Sequence, residues 1–173
     1  LGVEVRPDAA ASSVEIDGCS GRLPRAGGTL DVRQSGTTGR FVLPMLALGS
    51  GRYVLDGDPQ LRSRPFADLL DALHQLGVTT IGESLPIQVE GGTLHGGRVR
   101  IAGNVSSQFL SGLLLSAPAA AGPITIEVVG ELVSAPYIEL TLSTMASFGA
   151  RVSKTAGSAT TPNPSLRVEP TGY

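Results

Sequence analysis

Tryptophan is absent from this 173-residue chain, aromatic residues make up only 4% of it, and the single cysteine is Cys19. With so few rings the core has to be built from Leu, Val, Ile and Ala, and 41% hydrophobic residues is enough for a sizeable single-domain core. One cysteine cannot form an internal disulfide. Together with two widely separated histidines, His74 and His95, it gives no metal-ligand spacing, so no metal or cofactor is expected. An excess of positive charge is also missing. The formal net charge of -2 and a pI near 5.7 exclude the broad basic surface that binding a nucleic-acid backbone requires. Long apolar runs are lacking too: the stretches around Phe41 to Leu48 and Leu113 to Ala121 contain Pro44 and Pro118 and are too short to cross a bilayer. No basic leader precedes an apolar run. A reducing, cytoplasmic setting with neither nucleic acid nor membrane as partner is expected. What the chain has in quantity is glycine, 23 residues, and proline, 12, which suits a layered protein with many turns.

Internal similarity organises the rest. Leu1-Gly2-Val3, Leu76-Gly77-Val78 and Phe148-Gly149-Ala150 recur at steps of 75 and 72 residues. Val14-Glu15-Ile16-Asp17-Gly18 returns as Ile87-Gln88-Val89-Glu90-Gly91 and, more weakly, as Leu166-Arg167-Val168-Glu169-Pro170. Arg52 to Gly57 matches Ile124 to Gly130 in the same way. The pattern predicts two copies of a unit, approximately 19–91 and 92–170, with 1–18 the end of a preceding unit. Alternation and helical spacing give each unit the order strand, helix, strand, helix, two strands, an α/β (α+β) class built from βαβαββ repeats. Leu1-Gly2-Val3 stands where a helix meets a strand elsewhere, so a start further upstream is expected. Thr171-Gly172-Tyr173 would begin a crossing to something beyond, and Thr155 to Pro164 reads as a small-residue loop, at best a hairpin turn.

The two helices of each unit differ in kind. The first, Thr37 to Leu48 and then Ser107 to Ala120, is apolar nearly all round and is expected to be buried. Pro44 and Pro118 should kink or end these helices. The second carries one apolar stripe: Leu69, Leu70, Leu73 and Leu76 in one copy, Ile138, Leu142, Met145 and Phe148 in the next.

Polar residues gather just before the buried helices, as Gln34-Ser35-Gly36-Thr37-Thr38-Gly39-Arg40 and as Ser106-Ser107-Gln108. Exposed N–H groups at the positive end of a helix can hold a phosphate or carboxylate. Capping alone is the more frequent reason for any single one of these clusters, and it is their recurrence that favours a ligand. At Ser134-Ala135-Pro136-Tyr137, Ser134 is expected to cap and Pro136 to sit in the first turn. Arg62 and Arg64 precede the amphipathic helix, where its dipole disfavours cations, so each asks for an anion unless it is simply solvated. Arg40, inside an apolar helix, calls for a paired charge. Asp56 and Asp58 are either paired carboxylates or an ordinary strand-ending turn. Surface roles are expected of His74 and His95. No nucleophile has a base beside it.

Four ordered segments carry a resemblance. Ser35-Gly36-Thr37-Thr38-Gly39-Arg40-Phe41 is similar to an Asn-Ala-Gly-Thr-x-x-Arg motif, with Gln34 in place of the usual Asn. Asp56-Gly57-Asp58-Pro59 through Arg64-Pro65 and Leu70-Asp71-Ala72-Leu73 resembles a Gly-Asp/Glu-x-x-x-x-x-Arg-Pro block. Ser106-Ser107-Gln108-Phe109 and Leu132-Val133-Ser134-Ala135-Pro136-Tyr137-Ile138 look like two further substrate-binding blocks. Together they span nearly the whole chain and resemble the enolpyruvylshikimate-phosphate synthase family. The sister family acting on UDP-N-acetylglucosamine shares the fold but lacks the last two blocks.

The resemblance implies an inside-out α/β barrel domain, here a single partial domain over 1–173 that binds shikimate phosphate. It implies transfer of the enolpyruvyl group of phosphoenolpyruvate to shikimate 3-phosphate through a tetrahedral intermediate, with release of phosphate. Ser106, Ser107, Gln108, Ser134 and Tyr137 would hold shikimate 3-phosphate. Gly36, Arg64 and Gln108 would contact phosphoenolpyruvate, with Thr37 and Arg40 supporting the loop. Glyphosate, which competes with phosphoenolpyruvate in the family, would need the space at Gly36. The family's Lys-Ser segment and the Asp, Glu, Lys and Arg residues of its second domain have no counterpart here. The chain alone is therefore expected to bind without turnover, with a second domain of the same polypeptide as its partner and a monomer as the default. A stand-alone anion-binding or scaffolding module of the same fold is the alternative.

Overall fold

The computed structural model describes residues 1–104, 106–157 and 164–173. Residues 158–163 of the expected Thr155 to Pro164 loop lie outside the described residues.

Two four-stranded sheets repeat one topology. In the first, β3 (Gly28–Asp31) pairs parallel with β4 (Arg52–Asp56); β6 (Ile87–Glu90) pairs antiparallel with β4, and β5 (Thr80–Ile81) antiparallel with β6. The second repeats this order with β7 (Gly97–Ala102), β8 (Ile124–Val129), β10 (Ser165–Val168) and β9 (Val152–Thr155). The strand, helix, strand, helix, two-strand order read from the sequence is present in both. Period-two alternation is the cause. In β8, Ile124, Ile126 and Val128 are buried while Thr125 and Glu127 point outward. A separate hairpin of β1 (Val5–Asp8) and β2 (Ser13–Ile16) is exposed throughout, with Arg6 bonded to Glu4, Glu15 and Asp17.

Helix α1 (Gly36–Leu46) packs on α4 (Ser107–Ser116). Both stop short of their expected ends because proline offers no N–H to the helix. Pro44 sits in the last turn of α1, and after α4 the chain tightens into a 3-10 turn, Ala117–Ala119, around Pro118. Helix α4 is buried nearly all round, as expected. Helix α1 is buried on one face only. On its other side, half-buried Phe41, Val42, Met45 and Leu48 line an apolar groove with Leu115 and Tyr173. The last residues lie back on the end of α4 and the turn after it: the Tyr173 hydroxyl donates to Leu115 O and Gly172 N to Pro118 O, each at 2.8 Å.

The short helix α2 (Pro59–Arg62) precedes α3 (Ala67–Gln75), whose Leu69, Leu70 and Leu73, followed by Leu76, form the expected buried stripe. In α5 (Ala135–Ser147), Ile138 and Met145 are buried, but Phe148 is 67% exposed. Phe148 is the C-cap residue, with φ -97° and ψ 8°, so it leaves the helical path that would have carried it under the stripe. No helix among the described residues is long and apolar enough to cross a membrane.

Candidate functional site

In a parallel strand pair, the chain leaves both strands at the same end. Helix α1 follows β3 and α2 follows β4, while α4 follows β7 and α5 follows β8. The four sequence-predicted clusters therefore sit at two sheet ends, each made by a parallel pair. The α1–α4 contact joins the two ends through side chains 68 and 71 residues apart: Arg40 Nη1 donates to Gln108 Oε1 at 2.7 Å, and Gln108 Nε2 to Thr37 Oγ1 at 2.9 Å.

The start of α1 is held by backbone contacts. Arg33 takes a left-handed conformation, φ +49°, and its carbonyl accepts from Asp58 N at 2.8 Å, tying the loop before α1 to the loop after β4. Gly57 is required there, since a Cβ would stand 2.7 Å from Arg33 O. The Gln34 carbonyl accepts from Gly36 N at 3.0 Å, and the Ser35 hydroxyl caps the helix by accepting from Thr38 N at 3.2 Å.

Two guanidinium groups flank Gly36. A Cβ built on it would lie 3.2 Å from Arg64 Nη1 and 3.8 Å from Arg40 Nη1. No acidic residue stands in the first turn of α1, and neither Arg makes an ion pair among the described residues. The charge partner expected for Arg40 is thus not found. Its guanidinium stacks instead on Phe109 and Phe66, 5.0 and 5.9 Å from the ring centroids, with Nε buried and unpartnered. Burial, and then the like charge of Arg64, hold its pKa below the ordinary arginine value. Arg62 has found its anion within the protein: Nε and Nη2 donate to Asp56 at 2.9 and 2.7 Å. Asp56 is thus engaged by Arg62, and Asp58 takes the cap position of α2, the geometry of a strand-ending turn.

Around the second sheet end, Ser106 caps α4 by accepting from Gln108 N at 3.3 Å. Ser134 occupies the cap position of α5 in a left-handed conformation, φ +61° and ψ +43°, and its side chain makes no capping bond, contrary to the sequence expectation. Pro136 does sit in the first turn. The hydroxyls of Ser107, Ser134 and Tyr137 have no protein partner among the described residues. The loop before α5 is tied to the end of β7 by Val133 N to Gly103 O at 3.1 Å. Deeper in, the buried Ser111 and Thr141 hydroxyls, 2.8 Å apart, join α4 to α5 one turn beyond Ser107 and Tyr137. His74 bonds Thr80 at 2.6 Å, away from these helix starts. Among the described residues, no group of three or more His, Cys, Asp or Glu side chains is placed to hold a metal ion.

Gly112 was not singled out by the sequence, although it is essential to the geometry. A Cβ there would meet Arg40 O at 2.4 Å, so only glycine lets α4 lie this close to α1. An isolated glycine inside an apolar helix was the available signal.

Comparison with known proteins gives the arrangement its context. Residues 1–171 match the family described as EPSP synthase (3-phosphoshikimate 1-carboxyvinyltransferase). The chain is similar to the 3-phosphoshikimate 1-carboxyvinyltransferase of Marinomonas sp. (strain MWYL1), 42% identical over 156 residues, and to that of Shewanella halifaxensis (strain HAW-EB4), 44% over 158 residues. In both cases 88% of this chain and 37% of the relative are covered. The chloroplastic enzyme of Petunia hybrida is 39% identical over 164 residues, covering 88% of this chain and 32% of its own length. The chain thus spans about a third of the length of these relatives. In fold it is similar to the EPSP synthase of Acinetobacter baumannii, with a TM-score of 0.60 over 98% of this chain and 54% of that one, at 17% identity.

Proposed function

The chain belongs to the EPSP synthase family, and we propose that it forms the shikimate 3-phosphate-binding half of a shikimate-pathway transferase site. The observation that carries the reading is the pair of guanidiniums, Arg40 and Arg64, beside the first turn of α1, neither of them ion-paired with a carboxylate among the described residues. Two cations at the positive end of a helix form a site for an anion. Gln108 connects that site to the Ser106-Ser107 cap and, through α4, to α5.

In this reading Gly36, Arg64 and Gln108 contact phosphoenolpyruvate, with Thr37 and Arg40 behind them. Ser106, Ser107, Gln108, Ser134 and Tyr137 hold shikimate 3-phosphate, and the hydroxyls of Ser107, Ser134 and Tyr137, without a protein partner among the described residues, support this. Guanidinium and amide donors stabilise charge on the phosphate and carboxylate as a hydroxyl of shikimate 3-phosphate adds to the phosphate-bearing carbon of phosphoenolpyruvate while the methylene carbon takes up a proton, and as phosphate and a proton then leave the tetrahedral intermediate. The groups that move protons come from outside this chain. No carboxylate or histidine bonds Arg40, Arg64 or Gln108 among the described residues. The isolated chain therefore binds shikimate 3-phosphate weakly and does not turn over.

The purified chain, given both substrates, is assayed for enolpyruvyl product and for released phosphate. Neither is expected. Product formation by the 173-residue chain would overturn the half-site reading.

A further inference from the structure

We infer that Arg40 is a positioning residue: with Thr37 it clamps the Gln108 side-chain amide so that Gln108 offers a ligand at the start of α1 a single N–H, as a donor only. The inference rests on the reading that this helix start receives an anion, and it deepens that reading by fixing which atom of Gln108 the anion meets.

The orientation follows from donor and acceptor chemistry. A guanidinium has donors and no acceptor, so the Gln108 atom 2.7 Å from Arg40 Nη1 has to be the amide oxygen. That places Nε2 2.9 Å from Thr37 Oγ1, to which it donates. An amide nitrogen carries two hydrogens. One is taken by Thr37, and the other has no partner among the described residues. A carboxylate or phosphate oxygen satisfies that N–H; a ligand hydroxyl donating toward it would set donor against donor.

Arg40 is built to hold this geometry. Its guanidinium lies over the Phe109 and Phe66 rings, its Nε is buried, and Gly112 brings α4 onto the backbone carbonyl of Arg40 itself. A solvated or mobile arginine could not fix an amide in this way. Loss of the Arg40 donor frees the amide to turn over, after which oxygen faces the ligand for part of the time.

The test reads the Gln108 side-chain NH2 pair in a nitrogen–proton correlation spectrum of the 173-residue chain, assigned by its loss in Gln108→Met. Arg40→Met is expected to shift the pair toward the position of solvated glutamines. Arg40→Lys, again a donor, should bring it back toward the wild-type position. Thr37→Val should shift chiefly the proton that Thr37 accepts. The backbone amide spectrum reports whether each variant is folded, and if Arg40→Met is not, Thr37→Val decides. An NH2 pair unmoved in a folded Arg40→Met or Thr37→Val chain would overturn the inference. Adding phosphoenolpyruvate separates it from the reading beneath. Movement of the Gln108 pair supports both, whereas a clamp signature with no response to the ligand supports the clamp and overturns the assignment of an anion to this helix start.

Discussion

The carbonyl oxygen of Arg40 and the α-carbon of Gly112 are pressed together across the α1–α4 interface, so closely that a Cβ on Gly112 would lie 2.4 Å from that oxygen. Pro44, four residues after Arg40, has no N–H to offer this carbonyl. A Cα hydrogen of Gly112 points at it instead, a weak contact that repeats wherever backbones pack this tightly.

Gly112→Ala should therefore force the two helices apart, at a cost of about 1–3 kcal/mol, as for other overpacked interiors. A denaturant titration checks the stability loss. Because the same displacement parts Arg40 from Gln108, anion affinity should fall together with stability.

Gly36→Ala is a different kind of change. Its backbone is in a region open to any residue, so the variant should fold with stability close to that of the parent. The new methyl lies 3.2 Å from Arg64 Nη1, so that guanidinium has to give by a few tenths of an ångström. Phosphoenolpyruvate and glyphosate binding should weaken while shikimate 3-phosphate binding persists. Paired calorimetric titrations of variant and parent check this, and equal loss of both ligands would count against the division of the site.

The Asp56–Arg62 pair sets an acid limit on stability. The hydrogen bonds from Arg62, and then that from Gly57 N, hold the Asp56 carboxyl below its ordinary value of 3.8. The folded chain therefore binds a proton less readily than the unfolded chain. The stabilisation is complete above the unfolded pKa and is lost as pH falls below about 4 through the folded value. Melting temperatures measured from pH 6 to pH 3 should fall less steeply in Asp56→Asn than in the parent.

What could be read in the sequence followed from local periodicity. The alternation in Ile124 to Val128 and the stripe of Leu69, Leu70, Leu73 and Leu76 each depend on neighbours within a few residues, and the structure contains both. The clusters at Ser35 to Arg40 and Ser106 to Gln108 were visible as helix starts for the same reason. Their junction was not, because Arg40 and Gln108 are 68 residues apart and meet only through helix packing. Burial of Arg40 against aromatic rings was equally hidden: an arginine in an apolar helix reads as a charge needing an acid, and only tertiary structure supplies Phe66 and Phe109 instead. Ser134 shows a third limit. Its residue type suits a cap, but the left-handed backbone turns the side chain away from that role. Phe148 lies one residue past the end of α5, and helical spacing alone does not show where a helix stops.

The most direct measurement is a titration of the 173-residue chain with shikimate 3-phosphate, followed by backbone and side-chain amide shifts. The half-site account predicts weak, saturable binding, with the perturbed signals confined to the starts of α4 and α5, at Ser106, Ser107, Gln108, Ser134 and Tyr137. Shifts that fail to saturate, or that fall elsewhere on the molecule, would contradict it.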